Sequence, residues 1–157
     1  MRRDIAVLWK ESSPFKGGED VNKLYALQQQ KRGQNKNYVA CQQDEQIIGF
    51  YSLNVGAVSF EEIPSEIQKR LARYPVPAVY IGRFAVDKQY QNQGLGKYLL
   101  SHALNRVCDI AAIGGVVLVI VDAKNEQAAQ FYQSVDFRPM PNNPLKLFLP
   151  VAELLNA

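Results

Sequence analysis

The chain has 157 residues, 47% of them hydrophobic, with no repeat, low-complexity tract or Pro/Gly/Ser linker, which excludes a fibrous or disordered protein and leaves one core of ordinary size in a single domain over residues 1–157. The net charge of +3 is uneven, with eight basic against four acidic side chains in residues 1–37 and ten against eleven in the remainder; an excess this small is more often a solvated face than a nucleic-acid surface. Two cysteines, Cys41 and Cys108, lack metal-type spacing and are too few for a disulfide framework, and the apolar run Ile5–Trp9 is too short for a signal core or a membrane span, so a soluble cytoplasmic chain with free thiols is expected.

In chain order, a strand at Ile5–Leu8 leads through Ser12-Ser13-Pro14 and Gly17-Gly18 to a helix around Val21–Gln30, with Val21, Leu24, Tyr25 and Gln28 on one face. Tyr38–Cys41 and Ile47–Val55 flank the polar segment Gln42–Gln46 and read as an antiparallel hairpin. A short helix begins near Pro64, which suits a first-turn position, and runs to about Ala72 before Pro75 and Pro77. The strand Ala78–Val86 precedes a glycine loop and a helix Leu95–Ile113. Val116–Val121, a continuous apolar run, is expected to be a buried parallel strand. A helix Glu126–Val135 and a last strand Leu145–Leu149 follow. The order predicts a mixed α/β sheet with a central βαβ unit from Ala78 to Val121, and the ligand belongs at the carboxyl end of its first strand.

The loop there is Gln91-Asn92-Gln93-Gly94-Leu95-Gly96. Its two glycines permit positive φ and let successive N–H groups converge on an anion at a helix end whose dipole favours negative charge, so a pyrophosphate is the expected ligand. On spacing alone a tight connection with no ligand explains it equally well. The dinucleotide fingerprint needs Gly-x-Gly-x-x-Gly near the first strand, and a Walker loop needs Ser or Thr where Tyr98 follows Lys97.

A second candidate is Tyr132. Ala128, Phe131, Tyr132 and Val135 follow i, i+3, i+4, i+7 spacing, and pattern alone favours a core aromatic. Asn125 precedes the same helix as a good N-cap, followed by Glu126 in the first turn. The single histidine, His102, shares a helix face with Lys97, Ser101, Asn105 and Arg106 and reads as a surface residue, and Asp87 and Lys88 fit a boundary of the ligand site and a plain turn equally well.

Gln91, two residues, Gly94, one residue and Gly96, set between strand and helix, resemble the acetyl-coenzyme A loop of the Gcn5-related N-acetyltransferases (GNAT). The resemblance widens to the acetyltransferase toxins encoded beside ribbon-helix-helix antitoxins. It runs through Phe15 with Gly18 and Leu24, Gln28 and Gln29, Asn37-Tyr38-Val39, Ile48-Gly49-Phe50-Tyr51-Ser52-Leu53, Pro75-Val76-Pro77, Ile81-Gly82-Arg83-Phe84-Ala85-Val86-Asp87, Phe131-Tyr132 and Pro144-Leu145. The chain departs in Gly17 for a usual Cys, Phe84 for Leu, and Asp136 for the Gly usual before Phe137.

That likeness implies a GNAT fold, mostly antiparallel, with acetyl-CoA as co-substrate and no metal. It implies coenzyme contacts from Phe84, Ala85 and Val86, with an oxyanion donor at the Ala85 or Val86 N–H, and from Gln91, Asn92, Gln93, Gly94, Leu95, Gly96, Lys97 and Asn125. Tyr132 becomes the acid near the coenzyme sulfur, which reverses the core preference. The implied acceptor is the α-amine of aminoacyl-tRNA, with Arg83 facing the acceptor stem and Lys31 and Arg32 near phosphates, and the implied partner is an antitoxin tail covering the coenzyme cleft; no membrane partner is implied, and homodimerisation is left open. Two alternatives share the coenzyme residues: an acetyltransferase for a small-molecule or protein amine, and a non-catalytic acyl-CoA-binding module.

Overall fold

The computed structural model describes residues 8–11, 36–41, 47–91 and 94–155. The expected helix 21–30, the turn 42–46, Lys31, Arg32, Asn92 and Gln93 lie outside the described residues. The chain divides into two compact units, Met1–Asn54 with Gly82–Ala103, and Val55–Ile81 with Leu104–Ala157.

In the first unit, β1 (Leu8–Glu11) pairs antiparallel with β2 (Lys36–Cys41), Leu8 opposite Cys41. The expected first strand, Ile5–Leu8, therefore overlaps the described one only at Leu8. β2 pairs antiparallel with the first part of β3 (Ile47–Val58), Tyr38 opposite Tyr51, with a register shift between Ala40 and Cys41. The residues Ile48 to Leu53 of β3 are all buried, so this stretch has both faces covered and reads as an unbroken apolar and aromatic run. α2 (Leu95–Gly114) buries Leu95, Leu99, Leu100 and Ala103 within this unit, the helical spacing that its sequence predicts.

In the second unit, β4 (Val76–Val86) pairs parallel with β5 (Leu118–Asp122) over Ala78–Ile81 and Leu118–Val121. β5 pairs antiparallel with β7 (Asn143–Pro150), and β7 with β6 (Arg138–Met140), giving the order β4-β5-β7-β6. All four residues Leu118–Val121 are buried, as a strand flanked on both edges and covered on both faces requires. A 3-10 turn at Phe60–Glu62 precedes α1 (Ser65–Gln68), whose N-cap is Pro64, one position before the expected place. The Gln68 side-chain amide donates to the carbonyls of Phe60 (2.9 Å) and Ile63 (2.8 Å), folding the segment back on itself, and the helix stops well short of Ala72. The final helices are α3 (Glu126–Gln133) and α4 (Val151–Leu155).

β6 and α4 were not expected from sequence. β6 is three residues long, contains Pro139 and carries a register irregularity at Pro139/Met140, so no alternation marks it. α4 begins directly after Pro150 with no polar N-cap.

Ile120, fully buried between Leu118 and Phe148 in the second core, tests this packing. Ile120→Ala is expected to lower unfolding free energy by about 2–5 kcal/mol, read as a drop in denaturant midpoint at unchanged slope.

Candidate active site

β4 ends at Val86, and the chain then turns through Asp87, whose side chain accepts from the Gln89 N–H at 2.9 Å and caps a 3-10 turn at Lys88–Tyr90. The Gln91 side-chain amide reaches back to donate to the Val86 carbonyl at 3.0 Å, tying the loop to the strand end. Asp87 is therefore a turn cap, as the plain-turn reading has it. Gly94 sits at φ +81°, a region that residues with a Cβ seldom enter, and its carbonyl accepts from Tyr98 N–H at 3.1 Å, so Gly94 starts α2. The N–H groups of Leu95, Gly96 and Lys97 lie in the first turn of a 20-residue helix, with Leu95 buried and Lys97 exposed. First-turn donors and the helix dipole favour an anion there.

The other half of this region is the end of β4. From Gly82 to Val86 every residue is at least partly exposed, in contrast to Ala78, Val79 and Ile81. The parallel ladder with β5 runs only to Ile81.

In the second unit, Asn125 is an N-cap, its Oδ1 accepting from the Ala128 N–H at 2.9 Å. That bond engages the side-chain carbonyl in holding the helix. Tyr132 lies on the buried side of α3, edge-on to the rings of Phe131 (5.3 Å) and Phe137 (5.7 Å). The helix ends in a Schellman arrangement: Phe137 N–H donates to the Tyr132 carbonyl (3.1 Å) and Asp136 N–H to the Gln133 carbonyl (3.1 Å), with the Tyr132–Phe137 ring contact completing the motif. Asp136 occupies the left-handed position at φ +77°, which is the physical reason a glycine suits it. Burial pushes the Tyr132 hydroxyl up to about 12, because the phenolate would lose its hydration.

His102 corrects the surface reading. It is partly buried, Tyr51 Oη and His102 Nδ1 lie 2.6 Å apart, and Tyr38 stands edge-on to both rings. The helix-face pattern could not reveal a partner 51 residues away. Ser52 was also passed over: it is a buried hydroxyl whose Oγ accepts from the Arg83 N–H at 3.0 Å. One polar residue inside an otherwise apolar and aromatic strand was the signal available.

Residues 4–137 match the Acetyltransferase (GNAT) family. The chain belongs to the GNAT acetyltransferase family. As a GNAT acetyltransferase it is an acetyl-CoA-dependent N-acetyltransferase with a mixed, mostly antiparallel α/β fold. The acetyltransferase is 33% identical over 139 residues to a tRNA-acetylating toxin of Mycobacterium tuberculosis, spanning 86% of this chain and 82% of that protein. It superposes with a TM-score of 0.83, at 28% identity, on AtaT complexed with acetyl-methionyl-tRNAfMet, covering 97% of this chain and 100% of the other. It also matches a tyrosine-to-phenylalanine mutant of the AtaT toxin bound to the C-terminus of the antitoxin AtaR and acetyl-CoA, with a TM-score of 0.73, 27% identity and 97% coverage of each chain. Among the described residues no group of His, Cys, Asp and Glu could hold a metal ion, and no helix is long and apolar enough to cross a membrane.

Two outcomes follow for the acetyltransferase. Asp136→Gly relieves the left-handed strain and should raise stability by about 1 kcal/mol, seen as a melting temperature roughly 2–4 °C higher. The Tyr132 hydroxyl is pushed up to about 12 in the folded chain from the ordinary 10.0 of an exposed tyrosine, so its contribution is complete below pH ~10 and is lost as pH rises through about 12. Unfolding at several alkaline pH values should show roughly 2–3 kcal/mol of this decline missing in Tyr132→Phe.

Proposed function

We propose that this acetyltransferase is a toxin that acetylates the α-amine of aminoacyl-tRNA, blocking its use in translation, and that an antitoxin of the ribbon-helix-helix type is its partner. The observation that carries this reading is likeness across nearly the whole chain, rather than in the coenzyme loop alone, to AtaT complexed with acetyl-methionyl-tRNAfMet. Acetyltransferases for other amines share the coenzyme residues and differ in the acceptor groove, so the acceptor is what the experiment below decides. The antitoxin follows from the similarity to AtaT bound to the AtaR C-terminus. A cytoplasmic location belongs to the same reading, since charged tRNA is found there. So does a single catalytic domain over residues 1–157: β3, β4 and α2 each run unbroken through both compact units.

In this reading the first turn of α2, with Gln91, Asn92, Gln93, Gly94, Leu95, Gly96 and Lys97, holds the pyrophosphate, and Phe84, Ala85 and Val86 line the pantetheine arm. Asn125 caps α3 through its side-chain carbonyl and contacts the coenzyme through its side-chain amide. The acceptor amine attacks the thioester carbonyl, a main-chain N–H at the end of β4 stabilises the developing oxyanion, and the coenzyme thiolate departs. Tyr132 hydrogen-bonds that thiolate. With its hydroxyl near 12, full proton transfer to a thiolate of pKa ~8.5 is uphill by about 5 kcal/mol, so donation of a hydrogen bond is the role that fits. Esterification lowers an α-amine below its usual ~7.7–8.0, so much of it is neutral at cellular pH and needs no dedicated side-chain base, and the proton it sheds on forming the amide passes to water or a main-chain carbonyl. Arg83, on the coenzyme strand, faces the acceptor stem, and Lys31 and Arg32 contact phosphates.

The deciding experiment transfers labelled acetyl from acetyl-CoA to total charged tRNA, with the same tRNA deacylated by mild base as control. Label on charged tRNA alone supports the proposal; no label on either, with acetyl-CoA still bound, moves the acceptor to a small-molecule or protein amine. Tyr132→Phe should lose on the order of 10²-fold in kcat while binding acetyl-CoA like the parent, which a non-catalytic module would not show. Charge reversal at Lys31 and Arg32 should weaken tRNA use and reduce the slope of log affinity against log salt by about 1–2; an unchanged slope removes them from the tRNA surface.

A further inference from the structure

Ser52 is one of two buried polar residues among the described residues, the other being Asn37. A buried hydroxyl destabilises a core unless it is bonded, and Ser52 Oγ takes the main-chain N–H of Arg83 at 3.0 Å. Directly beside it stands Gly82. A Cβ there would lie 2.6 Å from Ser52 Oγ, closer than real contacts allow, and Gly82 has no positive φ to require a glycine. Space for the serine hydroxyl is what requires it.

Three residues earlier on β3 the same relation recurs. A Cβ at Gly49 would meet the Ala85 carbonyl oxygen at 3.0 Å and Leu99 Cδ2 at 3.4 Å, and Gly49 also lacks a positive φ. Beside it, the Ile48 carbonyl accepts from Asp87 N–H at 2.8 Å. Arg83 N–H, Ala85 C=O and Asp87 N–H therefore all point at β3. Main-chain groups of successive residues in an extended strand point to opposite edges, so those of every second residue share an edge. Val86 consequently directs its N–H away from β3, and Ala85 does not.

We propose that Ser52 and Gly49 are positioning residues for acetyl transfer: by fixing which way the amides of β4 face, they make Val86, and not Ala85, the main-chain donor to the thioester carbonyl. This rests on the reading that the end of β4 cradles the thioester. Ser52 itself touches no substrate. Its hydroxyl holds Arg83, and the direction of the next amides follows from that bond and from the room left at Gly49 and Gly82.

The test compares Ser52→Ala, Ser52→Thr, Gly82→Ala and the Ser52→Ala/Gly82→Ala pair in full-length enzyme. It measures kcat for acetyl transfer to charged tRNA, affinity for CoA and for acetyl-CoA by calorimetry, and melting temperature. Ser52→Ala should reduce kcat roughly 10- to 100-fold while CoA affinity, set by the α2 turn, is unchanged. Ser52→Thr, which keeps the hydroxyl, should recover much of that loss. Gly82→Ala should fall as far as Ser52→Ala because its methyl displaces the hydroxyl, and the double variant should be no worse than either single. A kcat for Ser52→Ala equal to the parent's, losses that multiply in the double variant, or kcat and CoA affinity falling together with melting temperature would each overturn the proposal.

If the parent itself does not label charged tRNA, the acceptor reading has failed and the positioning role is decided on the donor alone. The parent should then bind acetyl-CoA more tightly than CoA and Ser52→Ala should lose that preference. An equal preference in both proteins would refute it.

Discussion

A strand that outruns its ladder on one side must be held from the other edge, and β4 is built around that requirement. Over Ala78–Ile81 it is a rung of an ordinary sheet, parallel to β5 and buried. From Gly82 onward the β5 ladder has ended, and the bonds that hold the strand on its β3 side include one to a serine hydroxyl and one to an isoleucine carbonyl, with room left at two glycines. Main-chain donors and acceptors inside a protein need partners. Supplying one of them from a side chain on the neighbouring strand leaves the far edge available without leaving the near edge unsatisfied.

Helix ends position the other candidate groups. Gly94 starts α2 at a positive φ, which aims the first-turn amides, and the Schellman close of α3 fixes Tyr132 by bonding its carbonyl and setting Phe137 edge-on against its ring. Both are local structures with steep geometric demands, so few residue types satisfy them. The same packing that orients Tyr132 strips water from its hydroxyl, and this desolvation makes it a donor across the whole physiological range rather than a proton source.

How much of this could be read beforehand depended on range. Leu95, Leu99, Leu100 and Ala103 announce α2 by period, Leu118–Val121 announces a buried parallel strand by its unbroken apolar run, and Asn125 announces a cap by type and place. All of these signals are local. β6 and α4 were silent because three residues carry no period and a helix opening after Pro150 has no polar cap to mark it. His102 and Ser52 were missed because their partners, Tyr51 and Arg83, are distant in sequence and meet them only through the packing of β3. Tyr132 was legible as a buried aromatic from spacing, whereas its assignment to chemistry came from likeness to a family and not from the pattern of α3.

The Tyr51–His102 contact gives this enzyme a built-in spectroscopic probe. With one histidine in the chain, the imidazole contributes a single set of nuclear magnetic resonance signals that need no assignment. That ring sits on the helix that follows the glycine loop, and its Nδ1 lies 2.6 Å from a hydroxyl of β3. Its chemical shift therefore registers any movement of α2 against β3 as ligands come and go, with no label, tag or substitution introduced.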